Sequence, residues 1–269
     1  MKYVVIPCLA AAVILLIYLF IENFFMLTVR KVTTGKGLRI AQISDIHKKS
    51  YRGGKSRISE RVRDEKPDMI FVTGDFVSRD ETDLTSAEKL LKELCKIAPV
   101  YFIFGNHEQS LPENIQAEFT EMLARTEAIV LRNRTVKAEI KGRSINICGL
   151  EPPYTTYKKN ECYRDLDSIT AEDMKALIGE RPEGETLLLA HNPLFAEAYS
   201  QWGADCTFSG HVHGGAVRIF GIGILSPERR FFPKYTKGVY DIGGMKLMVS
   251  AGIGKLRAFD PPEIVIYEI

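Results

Sequence analysis

The chain has 269 residues, a formal net charge of +2 and 45% apolar residues, enough for one large domain or two small ones. A balance so close to neutral argues against a nucleic-acid-binding surface as its main purpose, because such domains are usually strongly basic. The five cysteines, Cys8, Cys95, Cys148, Cys162 and Cys206, are scattered, without the close pairs of a disulfide framework or a zinc knuckle.

From Tyr3 to Ile21 no residue is charged, and at about 1.5 Å per residue the run nearly spans a ~30 Å hydrocarbon core. It exceeds the roughly 7–15-residue core of a secretory signal, and no small-x-small cleavage site follows in Glu22–Leu27. Residues 1–28 therefore read as an uncleaved, single-pass anchor in the cell membrane. Lys2 stands on one side of it, and Arg30, Lys31, Lys36 and Arg39 on the other. Together with the cysteine pattern, that asymmetry turns the rest of the chain toward the cytoplasm. Residues 29–37 read as a connector and 38–269 as one domain.

Within that domain, apolar runs alternate with amphipathic stretches. Strands are predicted over 38–43, 68–73 and 100–104, separated by helices over 56–66, ended by Pro67, and 84–97, where Leu84, Ala87, Leu90, Leu91 and Leu94 keep helical spacing. This β-α-β-α-β order predicts a parallel sheet with crossover helices. A helix follows over 113–126, then strands near 129–131 and 144–148 and a helix over 170–178. Short apolar runs at 187–189 and 206–208 precede histidines, and the tail over 263–269 alternates as a strand.

Five of the strand candidates end directly at residues able to bind metal: Asp45 and His47, Asp75, Asn106 and His107, His191, and His211 and His213. All five histidines of the chain are in this set. Ligands collect at the carboxyl ends of strands in open α/β sheets, so residues from 45 to 213 are expected to form one site. Asp-x-His and His-x-His at strand ends would place pairs of ligands on one side, because residues i and i+2 of an extended chain point the same way. Asp45, His47, Asp75, Asn106, His191, His211 and His213 make seven ligands, too many for one tetrahedral zinc and suited to two cations with room for water. Two cations about 3.5–4 Å apart can lower the pKa of a shared water and clamp the oxygens of an in-line phosphoryl displacement. Mixed imidazole, carboxylate and amide ligation suits manganese first, with iron or zinc as alternatives.

The ordered set Asp-x-His, Gly-Asp, Gly-Asn-His-Glu, His and Gly-His-x-His, running from about Leu38 to the C-terminus, resembles the calcineurin-like metallophosphoesterase superfamily. The stretches 210–215, 232–238 and 262–264 resemble a bacterial membrane-anchored branch that includes cell-envelope phosphodiesterases and a UDP-2,3-diacylglucosamine hydrolase. The resemblance implies a four-layer α/β/β/α sandwich of two mixed sheets, here preceded by a transmembrane helix. It also implies that Asp45, His47 and His213 hold one metal, that Asn106, His191 and His211 hold the other, and that Asp75 bridges them. His107 would be a non-ligand that protonates or stabilises the leaving oxygen, and Glu108 would orient His107. The implied reaction is hydrolysis of a phosphodiester or pyrophosphate by metal-bridging hydroxide. The anchor points to a lipid or nucleotide-lipid substrate.

Two positions depart from the family pattern. Ser78 stands where an aspartate is frequent, and Ala216 where glutamine is frequent. Arg218, two residues on, is a candidate phosphate contact or an exposed strand charge. The alternative to an enzyme is a catalytically silent metal-binding scaffold that recruits a partner to the membrane. His107 argues against it, because a scaffold needs no further imidazole beside the metals.

Overall fold

The computed structural model describes residues 2–48, 56–159, 166–215, 217–226, 231–254 and 257–269; Cys162 and Ala216 lie outside the described residues. Helix α1 (Lys2–Phe24) carries the apolar run. It is the one described helix long and apolar enough to cross a membrane, over Val5–Phe24, and most of its large apolar side chains are exposed. These features support a single membrane-anchoring segment.

The first sheet takes strands from both ends of the chain. Next to α1 comes β1 (Thr28–Thr33), which pairs in parallel with the last strand, β14 (Glu263–Glu268), from Thr28 opposite Glu263 to Thr33 opposite Glu268. β14 then runs antiparallel to β2 (Arg39–Ile43). From β2 the sheet continues in parallel through β3 (Met69–Thr73), β4 (Val100–Ile103) and β5 (Ile129–Val130). The strand over 28–33 replaces most of the predicted connector. Its sequence Thr-Val-Arg-Lys-Val-Thr has only two apolar residues, and it is held by an ion pair from Arg30 to buried Glu263 at 2.9 Å rather than by an apolar run of its own.

The second sheet has the order β12 (Gly238–Ile242), β13 (Met245–Val249), β9 (Cys206–Ser209), β8 (Glu185–Ala190), β7 (Arg143–Leu150), β6 (Arg134–Ile140). Its centre is parallel and its two outer pairs, β12–β13 and β6–β7, are antiparallel hairpins. Both sheets are therefore mixed.

The period-2 alternation of the strands sorts the core into layers. Ile40, Met69, Phe71 and Ile103 of the first sheet face Ile145, Ile147, Leu187, Leu189 and Phe208 of the second. The opposite side of the first sheet, with Ile43, Ile70, Val72 and Phe102, packs on α2 (Ser56–Asp64), α3 (Thr85–Cys95) and α5 (Glu113–Ala124). Leu188, Ala190, Leu247 and Val249 pack on α6 (Ala171–Ile178) and α7 (Ala196–Trp202). This is the expected α/β/β/α sandwich. Local signals stop the helices where predicted to within a few residues. Thr170 caps α6 by accepting from Asp173 N–H at 3.2 Å while Asp173 accepts from Thr170 N–H at 2.9 Å, a reciprocal box that satisfies two orphan donors.

One buried polar bridge crosses the inter-sheet core beneath the strand ends. Gln42 donates to Thr73 Oγ1 and to the Ser209 carbonyl, both at 2.9 Å, and accepts from the Tyr267 hydroxyl at 3.0 Å. A fully buried amide must be paired in this way. Here the pairing sets the ends of β3 and β9 against each other, just below the residues that follow them.

Candidate metal centre

Every predicted ligand lies at the carboxyl end of its strand or in the short turn after it. The turns are not extended. Asp45, His47, Asp75, His211 and His213 all have positive φ, between 51° and 69°, so the i, i+2 reasoning from extended chain does not describe them. Left-handed backbone costs a non-glycine residue of order 1 kcal/mol or more and concentrates at functional sites. Here it bends the chain sharply after each strand and turns consecutive side chains to one point. Gly74 completes the fit: at φ +90°, an added Cβ would lie 2.6 Å from His191 Nδ1 and 2.8 Å from Gly105 Cα.

Three groups of ligand atoms lie within 4.8 Å of one another: Asp45, His47 and His213; His47, Asp75 and His107; Asp75, His191 and His211. Asp75 Oδ2 is 3.3 Å from His191 Nε2, 3.8 Å from His47 Nε2 and 3.9 Å from His107 Nε2. Asp45 Oδ1 is 3.7 Å from His213 Nε2 and 4.0 Å from His191 Nε2. Apart from the 3.3 Å contact of Asp75 with His191, these separations exceed a hydrogen bond. They fit pairs of ligands that share a cation, since two atoms each about 2.0–2.2 Å from one metal are at most ~4.4 Å apart. The overlapping clusters form a dinuclear metal-binding site.

The donor set fits such cations on two further counts. Asn106 Oδ1 is buried at the start of α4 (Asn106–Gln109) without a hydrogen-bond partner among the described residues, an acceptor that a cation would satisfy. His191 Nδ1 lies 2.7 Å from the Thr73 carbonyl, which assigns one ring proton to Nδ1 and leaves Nε2 to face a cation between the two carboxylates.

Electrostatics agree. Burial lowers the pKa of His47, drives His213 well below the usual range and takes His107 down to about 3, keeping all three neutral. His191 moves the other way: burial would lower it, but Asp75 and Asp45 carry it up to about 10, so without a cation Nε2 holds a proton that a bound metal would displace. Burial would likewise raise Asp75, yet His191 and His107 hold it well below the usual carboxylate range. The two carboxylates thus call for positive charge between them.

The structure places Glu108 differently from the expected role. Its carboxylate is fully buried and accepts three backbone N–H groups, from Asp75 at 2.9 Å, Val77 at 3.0 Å and Gly105 at 2.8 Å. It holds the Asp75 turn, whereas His107 is oriented by the backbone: Arg79 N–H donates to His107 Nδ1 at 3.1 Å. That contact puts the proton of the neutral ring on Nε2, facing the centre. Burial and the Asp75 charge push Glu108 up to about 7.

Ser78 is buried in the same turn, one residue before Arg79. Arg218 is half-buried, donating to the Gly214 carbonyl at 3.0 Å and Thr236 Oγ1 at 3.2 Å; it braces the loop after His213. One neighbour had no sequence signal. Tyr157, in the turn after Pro153, packs its ring 5.2 Å from that of His211 and 6.0 Å from that of His191. Its buried hydroxyl has no hydrogen-bond partner among the described residues, and nothing about an isolated tyrosine in a loop marks it as a neighbour of metal ligands.

Comparison with known proteins agrees with this geometry. The calcineurin-like phosphoesterase profile matches residues 38–215, more than half of the chain. The metallophosphoesterase YkoQ of Bacillus subtilis, itself uncharacterised, is 25% identical over 87% of this chain and 84% of its own length. The UDP-2,3-diacylglucosamine pyrophosphatase LpxG of Chlamydia muridarum is 26% identical over 86% and 83%. Phosphodiesterase YaeI of Escherichia coli is 24% identical over 77% and 72%. Among solved structures, the NAD nucleotidase of Haemophilus influenzae superposes with a TM-score of 0.50 at 14% identity. It covers 80% of this chain, which spans under half (45%) of that protein; the likeness is one of fold.

Proposed function

Since this chain belongs to the calcineurin-like phosphoesterases, with a dinuclear metal site and hence hydrolase chemistry on phosphoester or pyrophosphate bonds, we propose how its residues divide that work and on what substrate. Asp45, His47 and His213 hold one cation; Asn106, His191 and His211 hold the other; Asp75 is shared. Manganese is the first choice for both positions, because the set mixes imidazole with hard oxygen donors. When bound, the cations supply hydroxide at neutral pH and positive charge for the phosphoryl oxygens. The observation that carries this reading is Asp75 Oδ2, which faces imidazoles of both ligand groups.

The remaining work falls to the protein. His107 presents Nε2–H toward the centre as a neutral donor, so it would stabilise the charge on the departing oxygen by a hydrogen bond, and the proton that oxygen takes up would come from water. Glu108 acts as a positioning residue that fixes the Asp75 turn. Ser44 Oγ donates to the Thr73 carbonyl at 3.3 Å, adding to the contact His191 makes there.

The substrate we propose is a phosphodiester or pyrophosphate of a lipid or nucleotide-lipid, held at the membrane in which α1 is inserted. The relatedness to LpxG and YaeI supports that class. The basic residues Arg30, Lys31, Lys36 and Arg39 after the helix support a cytoplasmic face. These features together support placement in the membrane-anchored branch of the family.

The test is the full chain in lipid vesicles, stripped and reloaded with manganese, iron or zinc, and offered a monoester, a diester and a nucleotide-lipid pyrophosphate. Wild type is expected to cleave the diester or pyrophosphate, and Asp75→Ala to lose both turnover and bound metal. Activity surviving Asp75→Ala would sink the two-metal reading. Bound metal with no turnover on any substrate would favour the silent scaffold.

A further inference from the structure

The last turns of α1 are built into the domain. Glu22 is fully buried and accepts the Phe259 N–H at 2.9 Å. Asn23 donates to the Arg257 carbonyl at 2.8 Å and accepts the Arg257 N–H at 3.2 Å, as one strand residue pairs with another. Tyr18 stacks on Phe259 with ring centroids 5.9 Å apart. The helix thus grips residues 257–259, Arg257 donates to the Gly252 and Ala251 carbonyls, and Gly254 lies against His47 and His213. Anchor and metal centre are held in a fixed relation.

Around this junction the surface is strongly apolar. β10 (Arg218–Ile219) and β11 (Ile222–Gly223) form a short hairpin whose tip, Phe220, is completely exposed. Phe231 and Phe232 are 73% and 66% exposed, and Ile219, Ile222 and Phe259 are also open. Val217 bridges to Ala258, and Arg218 N–H donates to the Ala258 carbonyl at 2.9 Å, one residue before Phe259. Leu225 bridges to Phe231. The base of the hairpin also packs on the turn after His213, where an added Cβ on Gly215 would come within 2.7 Å of Gly223 Cα. The base of the hairpin is therefore joined, through Ala258, Phe259 and Tyr18, to the aromatic end of α1, where Phe20 lies 4.8 Å from Phe24 and 5.8 Å from Phe25. Aromatic rings gather at this depth of a bilayer, and exposed patches of this kind mark interaction sites.

We propose that the β10–β11 hairpin, with Phe231, Phe232 and Phe259, is a second membrane contact: a foot that dips into the lipid surface beside the anchor. The contact holds the loops bearing His47 and His213 at headgroup level. Resting on the hydrolase reading above, the substrate is then an amphiphile that stays in the bilayer while its headgroup phosphoester reaches the metals. The occupant is lipid rather than another protein because the patch adjoins a helix that itself enters the bilayer.

The test reads depth without needing activity. Phe220→Trp and Phe231→Trp are made in the full chain, reconstituted in phosphatidylcholine–phosphatidylglycerol vesicles, and compared with wild type, whose lone tryptophan, Trp202, is buried. Quenching by spin-labelled lipid, and protection from aqueous iodide, is expected for the added tryptophans, as for a Leu16→Trp control inside the anchor. Iodide quenching without lipid quenching would place the hairpin in water and overturn the proposal. Protection from both quenchers would mean that a protein surface covers it, which also overturns it. In parallel, Phe220→Asp with Phe232→Asp should lower turnover of a bilayer-resident phosphoester about tenfold or more, since burying even one phenylalanine is worth that much, and leave a soluble diester unaffected. Equal losses on both substrates would remove the substrate claim. Lipid quenching with no turnover of any phosphoester would uphold the foot and sink the hydrolase reading.

Discussion

Glu108→Gln tests how the centre is held. The carboxylate takes two N–H groups on Oε2, from Asp75 and Gly105, and one on Oε1, from Val77. The amide of glutamine can keep the first pair through its oxygen, but its NH2 then faces the Val77 N–H, donor against donor. The change removes one charge-assisted bond, leaves a buried N–H unsatisfied and weakens the two bonds that remain, for a loss of about 2–4 kcal/mol. Because those amides belong to the turn that carries Asp75, the slackening reaches the bridging ligand. Metal affinity or turnover should fall roughly 10–100-fold, the usual effect of removing a group that orients a ligand. Denaturant unfolding of the metal-free protein gives the first number, and competition with a chelator the second. A variant within about 0.5 kcal/mol of wild type and with unchanged metal affinity would refute the claim that this carboxylate sets the Asp75 turn.

Two further outcomes are expected. His107→Ala should retain both metals by elemental analysis while kcat falls roughly 10²–10³-fold, the range for losing one donor to a developing oxyanion; loss of a metal would make His107 a ligand. Arg30→Met should shift acid unfolding. Burial would raise the Glu263 pKa, but Arg30 and Lys237 hold it below the usual value of 4.5. The unfolded chain therefore takes up the proton more readily, so the stability from Glu263 is present above about pH 4.5 and drains away as pH falls through its depressed folded value. Without Arg30, burial dominates, Glu263 rises, and the midpoint followed by circular dichroism should move to higher pH. An unmoved midpoint would show that Lys237 alone suffices.

Much of this protein is written locally. A strand buried on both faces needs an unbroken apolar run, and Met69–Thr73 or Glu185–Ala190 can be read for that reason. Thr170 and Gly179 bound a helix because capping is a matter of neighbouring residues. The ligand set is legible because metal chemistry restricts the residue types, and strand ends supply the positions.

What the sequence could not determine is what depends on partners far along the chain. The strand over Thr28–Thr33 exists because β14 lies beside it, and its own side chains carry little apolar pattern. Glu108 was assigned to His107 because they adjoin in sequence. Folding brings the amides of Asp75 and Val77 to Glu108 and the Arg79 amide to His107. The left-handed turns that aim Asp45, Asp75 and His213 are likewise tertiary: isolated, those residues would avoid the strain, and packing around Gly74 and above the Gln42 bridge holds them there. Charge, period and ligand type are properties of single residues and short windows. Register, reach and the meeting of an anchor helix with a metal loop are settled only when the sheets close.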